Sequence, residues 1–376
     1  MLLKQLINLG DAPVFTAIAY PSIIITVTHA SSVSQTQKMD KVTHASSVSP
    51  KQNIDTKIKV LNWQIGKPID NFIEVLNTDS FYIEQKALKP QGWQLEDNTV
   101  LQLLEKLRKT GTPLGEYLNG RFYRGVLTGF NEAFIVDRET RDRLISEHPS
   151  SEEVLKPFLR GKDVKRWVVN FAEQYLIKIE SSENKKHPWS DKSEKEAEKI
   201  FSQTYPAIYQ YLNQYREQLI KRYDQGKYFW ELRSCKYWNE FEETKIVYPD
   251  IAKYSEFSWD SNNYYLVNTL YLMPTSNKYI LGILNSQTTY WYYIQISPSI
   301  RGDFYRFIAQ YVSQIPIPKP TDTQDACVTR IVDKILEIKR QNLKADTTKL
   351  EREIDEIVYK LYGLEKEEIQ ILTANS

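Results

Sequence analysis

The stretch RFYRGVLTGFNEAFIVDRETRDRLI, residues 121–145, changes character halfway along its length. Its first half mixes arginine, glycine and aromatic residues, and its second half has the pattern of a surface helix. This order predicts a strand, a turn, a second strand and a helix, with Gly125 and Gly129 shaping the turn and Asp137 capping the helix. The stretch has no nucleophile–base pair and no metal-ligand spacing, so it does not predict an active site.

Outward from this stretch, strand and helix patterns alternate without the regular rhythm of a parallel α/β protein. Strands are predicted at 122–127, 133–136, 167–179, 245–248, 264–267 and 270–273. Helices are predicted at 138–147, 151–160, 192–223 and 278–293, with a capping box at Ser193 and Glu196. The pattern predicts an α+β fold with mixed sheets over residues 121–320. Residues 321–376 read as a helical segment with a second capping box at Thr348 and Glu351.

The first 120 residues have a different organisation. Residues 12–37 carry no charge, but Pro21 and the β-branched run 23–28 favour strands over the alternatives, a signal peptide or a membrane helix. The octamer VTHASSVS occurs at 27–34 and again at 42–49, which predicts a duplicated, disordered, Ser-rich linker over 29–60. Residues 61–120 read as a connector with a helix that begins near Asn98.

Composition excludes several classes of site. The net charge of +1 neither indicates nor excludes a nucleic-acid binder, because phosphate contacts need only a local basic face. The two cysteines are far apart and the four histidines have no ligand spacing, so neither a disulfide framework nor a zinc site is predicted. This cysteine usage favours a reduced, cytoplasmic setting.

A search for catalytic motifs finds almost none. No two prolines are adjacent, so the Asx-Pro-Pro-aromatic loop of amino-methyltransferases is missing, and no Gly-x-Gly turn offers a cofactor site. Neither a phosphate-binding P-loop nor a Gly-x-Ser-x-Gly elbow occurs. The loose spacing of Asp70, Glu84 and Lys86 leaves a magnesium-dependent nuclease as an alternative.

Basic residues cluster four times among aromatic residues between residues 121 and 306. Any one cluster is typical of a solvated face, but four in one region favour a polyanion-binding surface. A helical scaffold without a DNA role is the competing interpretation. The clusters are Arg121 and Arg124; Arg160, Lys162, Lys165 and Arg166; Lys227, Arg233 and Lys236; and Arg301 and Arg306.

Five ordered blocks give these residues a family context. They are RGVLTGFNEAFIVDRETRDRLI, KPFLRGKDVKRW, FEETKIVYPDIA, YLVNTLYLM…YILGILNS and YVSQIPIP. Together they resemble the TaqI-like C-terminal specificity domain, the target-recognition domain of adenine-specific DNA methyltransferases, which include fused type IIG restriction–modification enzymes and PglX-like phage-defence enzymes. The closing LEREIDEIVYKLYGLEKEEIQIL looks like their C-terminal helical segment, so the resemblance covers about residues 63–372.

The resemblance implies a division of labour. In that family a catalytic domain flips an adenine and transfers a methyl group from S-adenosylmethionine, while the recognition domain reads double-stranded DNA. Residues 1–28 look like the last strands of such a catalytic domain, so a truncated or split gene is expected. S-adenosylmethionine would then bind the missing domain. We therefore expect a recognition module without its own catalysis, or one subunit acting with a separately encoded catalytic chain.

The resemblance also suggests, by position, which residues meet DNA. We expect no membrane association, a cytoplasmic location, and a structural role for Gly125 and Gly129 in their turn. The expected DNA-binding residues are Arg121, Arg124, Thr128, Asn131, Lys162, Lys165, Arg233, Lys236, Lys253, Arg301 and Arg306.

Overall fold

The computed structural model describes residues 2–8, 23–28, 57–63, 69–84, 98–300 and 304–374. The chain divides into two compact units, Met1–Glu105 and Lys106–Ser376. The linker predicted over 29–60 lies mostly outside the described residues, but a strand begins at Lys57 and overlaps its last four positions. The predicted end of the linker, residue 60, is therefore too late.

The first unit contains a four-stranded sheet. Its strands are β1 (Leu2–Asn8), β2 (Ile23–Thr28), β3 (Lys57–Asn62) and β4 (Phe81–Glu84). The order is β2-β1-β3-β4, with β1 parallel to β3 and the other pairs antiparallel. The predicted strand over 23–28 is confirmed. Helix α1 (Phe72–Thr78) precedes β4, and the alternating residues Leu6, Ile58, Val60 and Ile83 are buried together on the sheet.

The second unit contains four further sheets built from short strands. The strands are β5 (Gly111–Pro113), β6 (Tyr123–Arg124), β7 (Ile135–Asp137), β8 (Leu155–Leu159), β9 (Gln174–Ile177), β10 (Lys245–Pro249), β11 (Ile251–Ala252), β12 (Ser258–Asp260), β13 (Tyr265–Leu266), β14 (Leu270–Pro274), β15 (Ser299–Ile300), β16 (Phe304–Arg306) and β17 (Pro316–Pro318). Their orders are β12-β10-β14-β6, β13-β8-β9-β7, β11-β16-β15 and β17-β5. The pair β8 and β13 is parallel and the others are antiparallel, so the sheets are mixed as predicted.

The described residues also form further helices, the first of which begins in the first unit and ends in the second. They are α2 (Asn98–Thr110), α3 (Leu114–Tyr117), α4 (Asn131–Phe134), α5 (Arg138–Glu147), α6 (Ser151–Val154), α7 (Glu194–Thr204), α8 (Pro206–Asn213), α9 (Arg216–Lys221), α10 (Lys278–Leu284), α11 (Gln287–Ile296), α12 (Ala309–Val312), α13 (Asp322–Gln341), α14 (Thr348–Leu361) and α15 (Lys366–Ala374). Sheets and helices are interspersed along the chain, and the fold is α+β, as the sequence predicts.

Several predicted elements change in the structure. The strand predicted at 133–136 is the helical turn α4 followed by β7, and the helix predicted at 151–160 becomes strand β8 after one turn. Pro157 lies in that interval, and a proline removes a hydrogen bond from a helix interior. The helix predicted over 192–223 is three helices, because Tyr205 before Pro206 leaves the helical region at φ −129° and ψ 65°. Strand β9 occupies only part of the predicted 167–179.

The main core is rich in aromatic side chains. The ring of Trp230 stacks on those of Phe201 and Tyr228, with centroids 4.8 Å and 4.9 Å apart. Trp230 is fully buried, and Trp189 packs edge-on against it. The aromatic residues of the segment 227–238 therefore stabilise the fold chiefly as core, because their buried rings are removed from water.

The C-terminal helices are packed against the rest of the second unit. Gly282 in α10 allows α13 to approach, since a Cβ at this position would lie 2.6 Å from a methyl group of Val328. Helix α13 begins with a capping box at Thr321 and Gln324. The capping box predicted at Thr348 and Glu351 is wrong: α14 begins at Thr348, after Thr347 at its N-cap. Ser193 does accept the backbone N–H of Glu196 at the start of α7.

Candidate nucleic-acid interface

Two predicted cations from different sheets meet at one carboxylate. Arg124 ends β6, and its Nη2 lies 3.9 Å from Oδ2 of Asp250. Arg306 ends β16, and its Nη1 lies 3.8 Å from the same oxygen. Nε of Arg124 also donates to the carbonyl of Asn268 at 2.5 Å. About half of each arginine side chain, 51% and 48%, stays exposed, so both groups can still reach a ligand.

Asp250 is held firmly beneath these arginines. It connects β10 to β11, its N–H donates to the carbonyl of Thr269 at 2.9 Å, and its carbonyl accepts from the N–H of Phe307 at 2.8 Å. Only 8% of the residue is exposed. Burial raises the pKa of Asp250 above its ordinary value, although Arg306 and Arg124 act in the opposite direction. The carboxyl is therefore placed to orient both guanidinium groups rather than to meet a ligand.

Arg124 also belongs to a cleft of about 400 Å³ that brings together three predicted DNA-binding residues. The other two are Arg233, whose Nη1 pairs with Asp224 at 3.0 Å, and the exposed Lys236. The hydroxyl of Tyr237 donates to the carbonyl of Arg124 at 3.1 Å, and burial raises the pKa of Tyr237 to about 12. The tyrosine stays neutral and fixes the wall of a cleft whose charged groups are mainly basic.

The remaining predicted lysines are exposed but lie in other settings. Lys253 follows β11, and its Nζ lies 5.2 Å from the ring centroid of Phe304. Lys162 is in the helical turn Gly161–Asp163, whose Asp163 accepts the N–H of Arg160. Lys165 faces Glu256, whose pKa burial raises and the lysine lowers. Arg301 lies outside the described residues.

Arg121 has a more enclosed environment than the sequence suggests. Its Nη2 donates to Glu240 at 2.6 Å and to Glu243 at 2.9 Å. These hydrogen bonds raise the pKa of Arg121 above its ordinary value. The hydroxyl of Tyr123 donates to Glu240 as well, at 2.9 Å. The charge of Arg121 is thus matched by two hydrogen-bonded carboxylates, whereas Arg124 has one carboxylate at 3.9 Å.

Thr128 and Asn131 form a local turn. Thr128 is only 2% exposed, and its hydroxyl donates to Oδ1 of Asn131 at 2.7 Å while accepting from the N–H of Phe130 at 3.2 Å. A hydroxyl buried in this way has no access to DNA, so we assign Thr128 to the turn and correct the expected contact. Gly129 has φ +73°, and a Cβ at Gly125 would lie 2.0 Å from the carbonyl oxygen of Val267.

No sequence pattern marks Arg222, the residue that stabilises this turn. Arg222 is 7% exposed and donates to the carbonyls of Thr128 at 2.7 Å and of Phe229 at 3.0 Å, and also to that of Glu231. Burial lowers its pKa to about 10. In the sequence it follows Lys221 at the end of a helical pattern, where a solvated face is the ordinary interpretation.

The structure gives little support to the alternative of a magnesium-dependent nuclease. Asp70 lies in the helical turn Ile69–Asn71 and Glu84 ends β4, while Lys86 lies outside the described residues. Within the described ranges no group of three His, Cys, Asp or Glu side chains could hold a metal ion. Over the same ranges, no helix is both long and apolar enough to cross a bilayer.

Comparisons with known proteins bear on the family resemblance. Residues 156–317 match the TaqI-like C-terminal specificity domain, which confirms the resemblance. The chain is similar to the type II methyltransferase M.MjaIV of Methanocaldococcus jannaschii, with 28% identity over 247 residues, covering 62% of this chain and 76% of that protein. It is also similar to the type II methyltransferase M.PaeR7I of Pseudomonas aeruginosa, with 23% identity over 294 residues. That match covers 75% of this chain but only 45% of the relative.

A solved structure shares the fold. The type IIL restriction–modification enzyme MmeI, solved in complex with DNA, matches 99% of this chain with a TM-score of 0.54 and 12% sequence identity. The chain spans 45% of that protein.

Proposed function

We propose that this chain recognises a specific sequence in duplex DNA for an adenine-specific DNA methyltransferase of a restriction–modification system. The proposed contact surface comprises Arg124, Arg233, Lys236, Lys253 and Arg306. Arginine and lysine there would grip phosphates or read guanine edges in the major groove. We call these five residues the basic surface.

One observation carries the proposal: two half-exposed arginines are aimed by a single buried carboxylate. A solvated arginine on an ordinary surface loses side-chain entropy when it is fixed, and gains little from an exposed ion pair. Arg124 and Arg306 lie 3.9 Å and 3.8 Å from the same oxygen of Asp250, so the carboxylate keeps two guanidinium groups close together while each retains N–H donors for a ligand. The match of residues 156–317 to a specificity domain supports DNA as that ligand.

We further propose that the chain does not transfer methyl groups alone. The sequence has no Asx-Pro-Pro-aromatic loop and no Gly-x-Gly turn, the features with which a methyltransferase holds adenine and S-adenosylmethionine. On this proposal S-adenosylmethionine binds a separately encoded catalytic chain, and this chain supplies the site preference in the cytoplasm. Adenine as the target base rests on the family resemblance.

The test uses the purified full chain. A fluorescent random duplex should bind in a salt-dependent way, with log K falling linearly against log salt at a slope of about −0.9 for each phosphate neutralised. Labelled S-adenosylmethionine should transfer no methyl group to the same DNA. Binding that is absent or insensitive to salt would overturn the recognition role, and methylation by the lone chain would overturn its non-catalytic nature.

A further inference from the structure

We propose that Phe304 and Ile251 read thymine by contacting its 5-methyl group in the major groove. This inference rests on the proposed DNA-recognition function and adds a specificity element of a different chemistry. Ile251 begins β11, just before Lys253, and Phe304 begins β16, the strand that Arg306 ends, so both lie in the small sheet β11-β16-β15 next to two residues of the basic surface.

The strand register places these four side chains on one face. Ile251 pairs with Arg306 and Ala252 pairs with Tyr305 across the antiparallel strands. Because side chains alternate along a strand, Phe304 and Arg306 share a face, and the pairing puts Ile251 on the same face. Ala252 is 4% exposed and marks the inner face. The contact of Lys253 Nζ with the Phe304 ring at 5.2 Å adds the lysine to the outer face.

Two apolar side chains are partly exposed on this face, next to cations. Ile251 is 44% exposed and Phe304 is 38% exposed, each directly beside a cation. Large apolar groups in water are unfavourable, and a patch that mixes them with basic groups fits a partner with the same mixture. Duplex DNA offers phosphates and, on its major-groove edge, the apolar thymine methyl group, which phenylalanine is suited to contact. Charge complementarity therefore favours DNA over a second copy of this chain or another protein.

The spacing of side chains along the strand also suits the groove. The major groove of B-DNA admits a two-stranded β-ribbon, and β11 and β16 form one antiparallel pair of the three-stranded sheet. Residues two apart on a strand lie about 6.8 Å apart, which is close to two base steps of about 3.4 Å. Phe304 and Arg306 would therefore meet groups about two steps apart along the duplex. This spacing predicts a thymine preference near, but not adjacent to, the contact made by Arg306.

The decisive experiment compares two forms of the same duplexes, one amplified with dTTP and the other with dUTP. The uracil form differs from the thymine form only by the absence of the 5-methyl group. The wild-type full chain is used to select from the dTTP pool, and the selected sequences are then remade in both forms. We expect tighter binding of the thymine form, by roughly fourfold for each methyl contacted. Equal binding of the two forms by wild-type protein would overturn the proposal without touching the DNA-recognition role.

Variants assign the effect to this face. Phe304→Ala and Ile251→Ala should bind the thymine and uracil forms equally and keep the wild-type salt slope. Ile220→Ala, at a 48% exposed isoleucine in α9, is the matched control and should keep the thymine preference. A preference that survives both substitutions would overturn the assignment. Sedimentation provides a second check on the assignment. If the wild-type mass rises with concentration and Phe304→Ala abolishes the rise, the face joins copies of the chain and the assignment is overturned. Failure of all variants and wild type to bind DNA would instead reject the proposed function.

Discussion

Arg124 and Arg306 approach the same oxygen, Oδ2 of Asp250, at 3.9 Å and 3.8 Å, although they lie in different sheets. The chain thus uses the short connection between β10 and β11 to bring two sheets to one point. Because the carboxylate is buried and the arginines are half exposed, the cluster presents positive charge outward. This relationship brings Arg124 and Arg306, two residues of the basic surface, to one point.

Removing either arginine should weaken DNA binding. For Arg124→Ala or Arg306→Ala we expect a loss of roughly 5- to 150-fold at the preferred sequence, which corresponds to about 1–3 kcal/mol if the contact is bidentate to guanine. The double variant should lose less affinity than the product of the two single-variant fold losses, because both arginines contact Asp250. Fluorescence anisotropy measures the affinities. Arg143→Ala is the control, since Arg143 pairs with Glu147 on the surface of α5, and an equal loss there would contradict a specific role.

Replacing the carboxylate should separate affinity from selectivity. Asp250→Asn removes a negative charge between two arginines, so binding to non-specific duplex should strengthen at low salt. The same change frees the arginines, and the ratio of specific to non-specific affinity should fall by several-fold. Competition with unlabelled DNA of each kind measures both quantities. A variant that loses both affinities equally, with an unchanged ratio, would show that Asp250 only stabilises the fold.

Arg121 should matter less for DNA than its neighbour Arg124. Its guanidinium is already hydrogen-bonded to Glu240 and Glu243, and leaving them for a phosphate would forfeit both interactions. We expect Arg121→Ala to change DNA affinity by less than about threefold and to lower the free energy of unfolding by no more than about 1 kcal/mol. The same anisotropy assay and denaturant unfolding give the two values. A DNA defect as large as that of Arg124→Ala would show that the ion pairs open on binding.

Gly125 should be intolerant of any side chain. A Cβ there would lie 2.0 Å from the carbonyl oxygen of Val267, which is backbone and cannot swing aside. We expect Gly125→Ala to lower the free energy of unfolding by roughly 2–4 kcal/mol, since the strand must move. Gly161→Ala is the control, because its nearest contact would be an ordinary 3.7 Å to Thr269. Similar stabilities for the two variants, in denaturant unfolding, would contradict the close packing.

Asp355 should make stability depend on pH. It accepts the N–H of Gln287 at 2.8 Å, and burial raises its pKa from 3.8 to about 6, with Arg166 lowering it and Glu351 and Glu356 raising it. The folded pKa exceeds the unfolded value, so the folded state binds the proton more tightly. This stabilisation is fully present below the unfolded pKa and is lost as pH rises through about 6.

Asp355→Asn provides the test, because its amide oxygen can still accept the N–H of Gln287 and carries no charge. Between pH 4 and pH 7 the wild-type protein should lose the contribution of Asp355, and the variant should not. The unfolding free energy of the variant minus that of wild type should therefore rise by on the order of 2 kcal/mol over this range. Denaturant unfolding at intervals across that range measures the difference. A constant difference at all pH values would show that Asp355 does not titrate in this window.

Much of the fold could be predicted because its signals are local. Helix α5 over Arg138–Glu147 follows from one cap, Asp137, and one short pattern. Strands β10 and β14 follow from runs of β-branched and aromatic residues. Strand β8 was missed because its pairing with β9 is a tertiary contact, and tertiary context overrides the helical propensity of residues 151–160.

The candidate site was only partly predictable for a related reason. Arg124, Arg233 and Lys236 could be identified from basic residues among aromatic ones, but nothing in the sequence places them in one cleft. Sequence alone assigns Asp250 no role, since the two arginines that it contacts lie on other strands. Thr128 was expected to meet DNA from its position in the family resemblance, but it is buried and its carbonyl accepts from the buried Arg222, which no sequence pattern marks.

Sequence selection by the full chain tests the central claim most directly. The purified protein is mixed with a random duplex pool, bound DNA is recovered over several rounds, and the recovered sequences are determined. We predict that wild-type protein enriches one defined sequence, and that the Arg124→Ala/Arg306→Ala double variant, folded and at the same concentration, enriches none. Recovery of unselected sequences by wild-type protein, or of the same sequence by the double variant, would contradict recognition through this basic surface.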